Sequence, residues 1–312
     1  MKHIKRLLDR WRAAPRRSDT RAAPLRADAL ARGTRLHGIR IERTIARGAS
    51  AVVYAGVHEA SGVAVAVKVL CPPLSVDNLQ ADNEASNRFL RDAERASRLA
   101  HAGIVRLFGG GSERGLTFAI MELQSGTTLA RYTQASHLLP ERLALGLCAR
   151  LAEALAYAHR GGVVHRDVKP ANVMFDPATD TVKLTDFGLA RSVDAEATRS
   201  GLLLGSPAYM APELLAGARA DARSDLYALG VLLYELLTAH LPFSGDSMGA
   251  LLRAIATQAP RTVRALRPDL PAAVAMALDN VLEPVLARSR LDRLADGEAW
   301  ANALRRAGPS LS

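Results

Sequence analysis

The stretch IARGASAVVYAG, Ile45 to Gly56, has the small-residue composition of a turn that can fold backbone N–H groups around phosphate oxygens. Gly48 sits at its middle, while Ala46 and Ala51 occupy positions where further glycines would be expected. A glycine-rich turn opening a helix would suggest dinucleotide binding. Here the turn runs into a strand-like segment and then into VAVAVK, which ends on Lys68, and that order points to a hairpin that covers ATP. The hairpin would comprise Ala46, Arg47, Gly48, Ala49, Ser50 and Ala51. A lone lysine ending a strand is ordinarily a solvated charge, so the hairpin takes its weight from what lies downstream. VVHRDVKPAN (163–172) and VKLTDFGLA (182–190) there concentrate Asp167, Lys169, Asn172 and Asp186.

The elements needed to position these residues are legible in the hydrophobic pattern. RIERTIA, AVVYAGV and VAVAVKVL alternate as strands do, and Ser61-Gly62 supplies a tight turn between the last two. A charged helix is predicted from about Asn78 to Ala100, followed by two short strands ending at FAIMEL. After Gly126 the pattern is mostly helical, with ERLALGLCARLAEALAYAH and SDLYALGVLLYELLT the strongest segments.

The chain has 312 residues, 49% of them hydrophobic, enough to bury a large core. Residues 1–35 hold 11 Lys and Arg against 3 Asp and Glu, which is +8 of the +10 net charge. The basic character therefore lies in a leader, and nucleic acid is not an expected partner. Arg12 to Arg35 reads as a disordered, Arg/Ala/Pro-rich segment. MKHIKRLLDRWRA, residues 1–13, carries Ile4, Leu7, Leu8 and Trp11 at helical spacing; it reads either as a solvated tail or as a short helix docking on a membrane surface or a partner. No apolar run reaches the ~18 residues of a spanning helix and no signal peptide is evident, so a cytoplasmic location is expected. Cys71 and Cys148 stand among apolar residues and read as reduced packing residues.

Six motifs in order, IARGASAVVYAG, AVK (66–68), VVHRDVKPAN, VKLTDFGLA, APE (211–213) and SDLYALGVLLYELL (224–237), make the chain resemble the protein kinase family, specifically its bacterial serine/threonine type. The resemblance covers about residues 36–304. It implies an α+β, bilobal kinase fold, with an antiparallel-sheet N-lobe plus one helix over 36–123 and a mainly helical C-lobe over 124–305, then a short tail over 306–312. It also implies transfer of the γ-phosphoryl group of ATP, with Mg²⁺ or alternatively Mn²⁺, to Ser and Thr hydroxyls of proteins, this chain itself included in trans. Such chemistry asks little covalent help and much positioning of a polyanion and its metal ions.

By this resemblance Asp167 accepts the proton of the substrate hydroxyl, and Lys169 adds positive charge at the transferring group. Asn172 and Asp186 hold the metal ions, whose hard character suits oxygen ligands. Lys68 grips the phosphates while paired to a helix carboxylate. Adenine lies against Val53 and Ala66 on one side and Met174 on the other, with Glu122 and Leu123 in the hinge and Met121 just before it. Glu213 pairs with Arg293, and Asp225 accepts backbone hydrogen bonds from the catalytic loop. Arg166 meets phosphorylated Thr198 or Ser200, and Ser206, in GSPAYMAPE, touches Asp167 and Lys169. KPAN after Asp167 and the GSPAYMAPE loop match protein-directed serine/threonine kinases and oppose a small-molecule phosphotransferase. The catalytic residues present oppose a pseudokinase scaffold.

Three departures stand out. The helix carboxylate is Asp92 where the family carries Glu, and Glu94 lies about 200° further round the helix axis, so it does not simply replace Asp92. Ser289, Arg290 and Leu294 replace the family's Asp and prolines near Arg293. If Ala46 or Ala51 must be left-handed, each costs about 1–2 kcal/mol and slows ATP handling; with negative φ, alanine costs nothing and stiffens the loop.

Overall fold

A computed structural model of the chain describes residues 25–48, 50–71, 79–187 and 207–308. The leader through residue 24, Ala49, and the segment holding Thr198, Ser200 and Ser206 lie outside the described residues. The described chain divides into two compact units, 25–100 with 105–124, and 101–104 with 125–187 and 207–308. The division falls one residue beyond the boundary expected from the sequence. His101 to Ile104 belong to the second unit because Ile104 bridges Leu184 and the Gly103 carbonyl accepts from Leu184 N–H at 2.9 Å.

The first unit is a six-stranded antiparallel sheet, order β1-β2-β3-β4-β6-β5, with one helix. Its strands are β1 Arg35–Leu36, β2 Ile39–Arg47, β3 Ala51–His58, β4 Ala64–Leu70, β5 Leu107–Glu113 and β6 Leu116–Glu122. Strand alternation decides which side chains serve the core. Val52, Tyr54, Val65, Val67, Val69, Phe118 and Ile120 form the buried cluster on one face. The intervening residues Val53, Ala66, Lys68 and Met121 therefore share the opposite face, with Val53 directly across from Lys68 and Ala66 across from Met121.

Arg114 and Gly115, with φ of 51° and 79°, make the two-residue hairpin between β5 and β6, the geometry that matches strand twist. The link between β3 and β4 is longer than the two-residue turn predicted at Ser61-Gly62. It spans residues 59–63, and only Gly62 in it is left-handed, at φ 69°. Either primed two-residue turn, type I′ or II′, needs its first central residue there, and Ser61 carries a Cβ that disfavours it. Helix α1, Leu79–Ser97, buries Phe89, Ala93 and Ala96 and exposes Arg91, Glu94 and Arg95, as an amphipathic helix must. It packs on β5, where Gly110 leaves room for Leu90 and Ala93: a Cβ there would meet them at 3.3 and 3.4 Å.

The second unit is built on helices α2 Glu141–Arg160 and α3 Ala222–Thr238. Around them stand α4 Met248–Thr257, α5 Ala272–Leu286 and α6 Gly297–Ala307. Helix α3 is nearly apolar throughout and is almost wholly buried, so it is the axis of this core. Asp221 and Ser224 close a capping box at its N-terminus. A small sheet, β7 Thr127–Thr128, β8 Val173–Asp176 and β9 Thr181–Leu184, was not predicted from the sequence. Cys148 is buried in α2 and Cys71 is half-buried at the end of β4; both are free thiols.

Candidate active site

In the first unit the predicted nucleotide hairpin is the β2–β3 connection. Gly48 N–H donates to the Ala51 carbonyl at 2.9 Å, Ala46 pairs with Val53, and Ala51 pairs with Leu70. Neither alanine is among the described residues with positive φ. The strain allowed for in the sequence is therefore absent, because both alanines lie in strands, where their Cβ atoms cost nothing. We expect Ala46→Gly and Ala51→Gly to bring no gain in turnover and to lower stability by about 0.4–1 kcal/mol each, from added unfolded-state freedom. Steady-state kinetics and denaturant melts check this.

The hairpin has an anchor that the sequence did not reveal. Arg47 Nη1 donates to the Asp28 carbonyl at 2.6 Å, and the Tyr54 hydroxyl donates to the Ala27 carbonyl at 2.8 Å, so residues 27–28 are tied to the root of the turn. Lys68 is buried on its sheet face at 8% exposure. Asp92 is mostly buried and lies 3.8 Å from Arg95 Nη1, whereas Glu94 is 70% exposed and paired with Arg98 at 3.1 Å. That solvent-facing direction takes Glu94 out of contention as the carboxylate for Lys68.

In the second unit a loop of charged residues is clamped from below by α3. Asp225, 1% exposed, accepts the His165 and Arg166 backbone N–H groups, both at 2.8 Å, and His159 Nε2–H at 2.7 Å. Three donors satisfy a carboxylate that burial would otherwise penalise heavily. His159 was not singled out from the sequence, since at the end of an amphipathic helix it reads as a surface residue. His165 Nε2 contacts the Thr185 carbonyl at 2.8 Å, so it is the donor, and Nδ1 is left to accept Asp167 N–H at 3.3 Å. Its ring lies 4.5 Å from that of Phe187.

This scaffold holds two residues in left-handed backbone, Arg166 at φ 71° and Asp186 at φ 62°, conformations that non-glycine residues keep only when their surroundings impose them. It also gathers the chemical groups. Asp167 Oδ2 accepts from Asn172 Nδ2 at 2.7 Å and from Lys169 Nζ at 2.9 Å. Asn172 Nδ2 donates as well to the Asp167 carbonyl at 2.8 Å, which fixes the amide and directs its carbonyl oxygen elsewhere. Met174 lies in β8 between Thr128 and Lys183.

Glu213, in the single-turn helix Pro212–Leu215, meets Arg293 in a two-pronged pair, Nη1 to Oε1 at 2.8 Å and Nη2 to Oε2 at 2.6 Å. The Arg293 side chain is wholly buried; Nε donates to the Ala287 carbonyl at 2.6 Å, Nη2 to the Arg288 carbonyl at 3.0 Å, and the guanidinium stacks over Tyr227 at 4.9 Å. Where the expected prolines are missing, Arg290 instead bonds Asp221 through Nε at 2.8 Å and supports the turn from the α3 cap.

Burial pushes the Glu213 carboxyl up, but the hydrogen bonds from Arg293, the backbone and Ser224 outweigh it and leave its pKa below the usual value. A depressed carboxylate contributes stability that is complete above the unfolded pKa and is lost as pH falls through the folded one. Thermal stability is thus expected to fall below about pH 4, and less steeply in Glu213→Gln.

The six-stranded sheet with its one helix in the first unit, and the helical second unit, are the elements of a kinase-type α+β fold. Residues 39–302 match the protein kinase domain family, and the chain belongs to that family. It is 35% identical over 277 residues to serine/threonine-protein kinase Pkn1 of Myxococcus xanthus, covering 87% of this chain and 38% of that protein. Serine/threonine-protein kinase PrkC of Bacillus subtilis is 34% identical over 269 residues, covering 85% and 40% respectively. The chain thus spans about two fifths of these relatives' length. Among solved structures it is similar to the kinase domain of Mycobacterium tuberculosis PknI, with a TM-score of 0.69 and 31% identity over 89% of this chain and 99% of that one. Rad53 in complex with AMP-PNP gives a TM-score of 0.68 at 25% identity, covering 88% of this chain and 66% of that one.

Proposed function

We propose that the chain transfers the γ-phosphoryl group of ATP to serine and threonine hydroxyls of proteins, itself included. The observation that carries this is the state of Asp167: one carboxylate oxygen is engaged by Asn172 and Lys169, so the other is the oxygen oriented to take the proton of an acceptor hydroxyl. Bound ATP with its divalent ions supplies the phosphoryl electrophile and neutralises its oxygens. Lys169 holds positive charge next to the base. The Asn172 carbonyl oxygen and the Asp186 carboxylate are hard donors suited to Mg²⁺, and they accept Mn²⁺ as well. Lys68 steadies the phosphates under the β2–β3 hairpin. Val53 and Ala66 in the first unit and Met174 in the second each offer the adenine an apolar surface, and Met121, Glu122 and Leu123 line its edge.

Asp92, on α1, is the carboxylate that holds Lys68 in this scheme. Asp92→Ala is expected to lower kcat by about tenfold or more through loss of that positioning. Near-normal turnover in the variant would remove Asp92 from the site. Arg166 meets a phosphate on Thr198 or Ser200, Ser206 assists at the acceptor, and the domain works in the cytoplasm on protein partners.

Incubation with Mg²⁺, ATP and a generic basic protein, followed by peptide mass spectrometry, tests the proposal. Phosphate on serine and threonine of the acceptor and of Thr198 or Ser200 is expected. An unmodified acceptor, or phosphate on tyrosine alone, contradicts it.

A further inference from the structure

The strand that leads into the nucleotide hairpin loses its support halfway along. Among the described residues β1 pairs only with Ile39 and Arg40 of β2, and Ile41 then exchanges backbone hydrogen bonds with Gly33 and Thr34 at 2.8 and 2.9 Å. Beyond that point β2 pairs with β3 alone among the described residues. Its register shifts between Ile41 and Arg43 and again between Thr44 and Ala46, and Ile45, Ala46 and Arg47 are exposed. A strand end with an irregular ladder and little buried surface moves at low free-energy cost, so a side-chain tie decides where it rests.

Residues 25–30 supply that tie. At one end Leu25 N–H donates to the Arg114 carbonyl at 3.2 Å, and at the other Leu30 is buried at 8% exposure. Leu25 and Ala27 pack against the buried cluster that holds Tyr54, on the sheet face away from Lys68. The hydroxyl of the fully buried Tyr54 brackets the segment: it donates to the Ala27 carbonyl at 2.8 Å and accepts Leu30 N–H at 3.3 Å. Between these two bonds lies Asp28. Its carboxylate is engaged by Arg26 at 3.1 and 3.3 Å, and its carbonyl accepts Arg47 Nη1 at 2.6 Å. The loosely held end of β2 is thereby fastened, through Asp28 and Tyr54, to the core of β3.

We propose that residues 25–30 form a strap that positions the hairpin over the phosphates of ATP, an inference that rests on the hairpin's role as an ATP cover. Tyr54 and the Arg47 side chain are its positioning residues. Arg47 acts through the main chain of Asp28 rather than by lending its charge to the phosphates. The Tyr54 side chain points away from the Lys68 face, so its hydroxyl reaches the nucleotide only by way of the strap.

Calorimetric titration of the full chain with Mg²⁺ and ATP, and separately with adenosine, tests this in Arg47→Met, in Tyr54→Phe and in the double variant. Arg47 is exposed and Tyr54→Phe keeps the buried ring, so all three are expected to fold, which circular dichroism verifies. ATP affinity is expected to fall about tenfold in Arg47→Met and about fivefold in Tyr54→Phe, whereas adenosine, with no phosphates to cover, should bind every form within about twofold. Because both residues act on one strap, the double variant should bind ATP within about twofold of Arg47→Met. Unchanged ATP affinity in Arg47→Met would overturn the proposal. So would a loss confined to Arg47→Met with none in Tyr54→Phe, which would assign Arg47 a direct charge contact, or equal losses for ATP and adenosine, which would mark a general weakening of the sheet. Failure of the unmodified chain to bind ATP would overturn the ATP reading and the strap with it; ATP bound equally by every form would overturn the strap alone.

Discussion

Asp167→Asn is expected to lower kcat by about a thousandfold while leaving ATP affinity within about threefold. The amide keeps the size of the carboxylate and still meets Lys169 and Asn172, so the loop retains its form. What is lost is the only group in the Asp-Lys-Asn cluster able to accept a proton. General-base assistance is worth about 10²–10⁴ in rate, and because the loss falls on the chemical step it should appear in kcat rather than in nucleotide binding. The clamp beneath the loop makes this a clean experiment, since Asp225 holds the His165 and Arg166 N–H groups without using the Asp167 side chain. Stopped assays with saturating ATP, paired with fluorescent-nucleotide titration, measure both halves. A variant that turns over within tenfold of the unmodified chain would show that Asp167 is not the base.

The second large effect is on stability. Arg293→Ala is expected to cost about 3–5 kcal/mol, because it leaves Glu213 buried without its counter-charge and removes a group that also ties Ala287 and Arg288. Against a total domain stability of about 5–15 kcal/mol this is a large share, so reduced soluble yield is expected alongside a lower urea midpoint. Arg293→Lys should recover only part of the loss. A lysine has no planar fork to engage both Glu213 oxygens and two carbonyls at once. A urea midpoint unchanged in Arg293→Ala would show that the pair is dispensable.

The strands that carry Val53, Ala66 and Lys68 were legible because strand alternation is visible in eight-residue runs, and a register of β3 on β4 follows from a short connection. The pairing of Glu213 with Arg293, 80 positions apart, was legible only through motif resemblance, since no local pattern encodes a contact at that separation. The β7-β8-β9 sheet escaped because strands of two to four residues are too short to establish a period. His159 escaped for a related reason: its role arises from Asp225, which belongs to a distant helix. The two hairpin alanines illustrate a further limit. Residue type restricts φ without fixing it, and only the strand pairing of Ala46 and Ala51 shows that no left-handed turn is required of them. Arg47's tie to the Asp28 carbonyl was invisible for the same reason, as its acceptor is main chain and carries no sequence signature.

The most direct test of phosphoryl transfer by this domain is phosphoamino-acid analysis of a basic protein incubated with γ-labelled ATP and Mg²⁺, using the unmodified chain and Asp167→Asn side by side. Label on serine and threonine with the unmodified chain, and its near-absence with a folded Asp167→Asn, is the predicted result. No label with the unmodified chain, or equal label with both, would contradict the account.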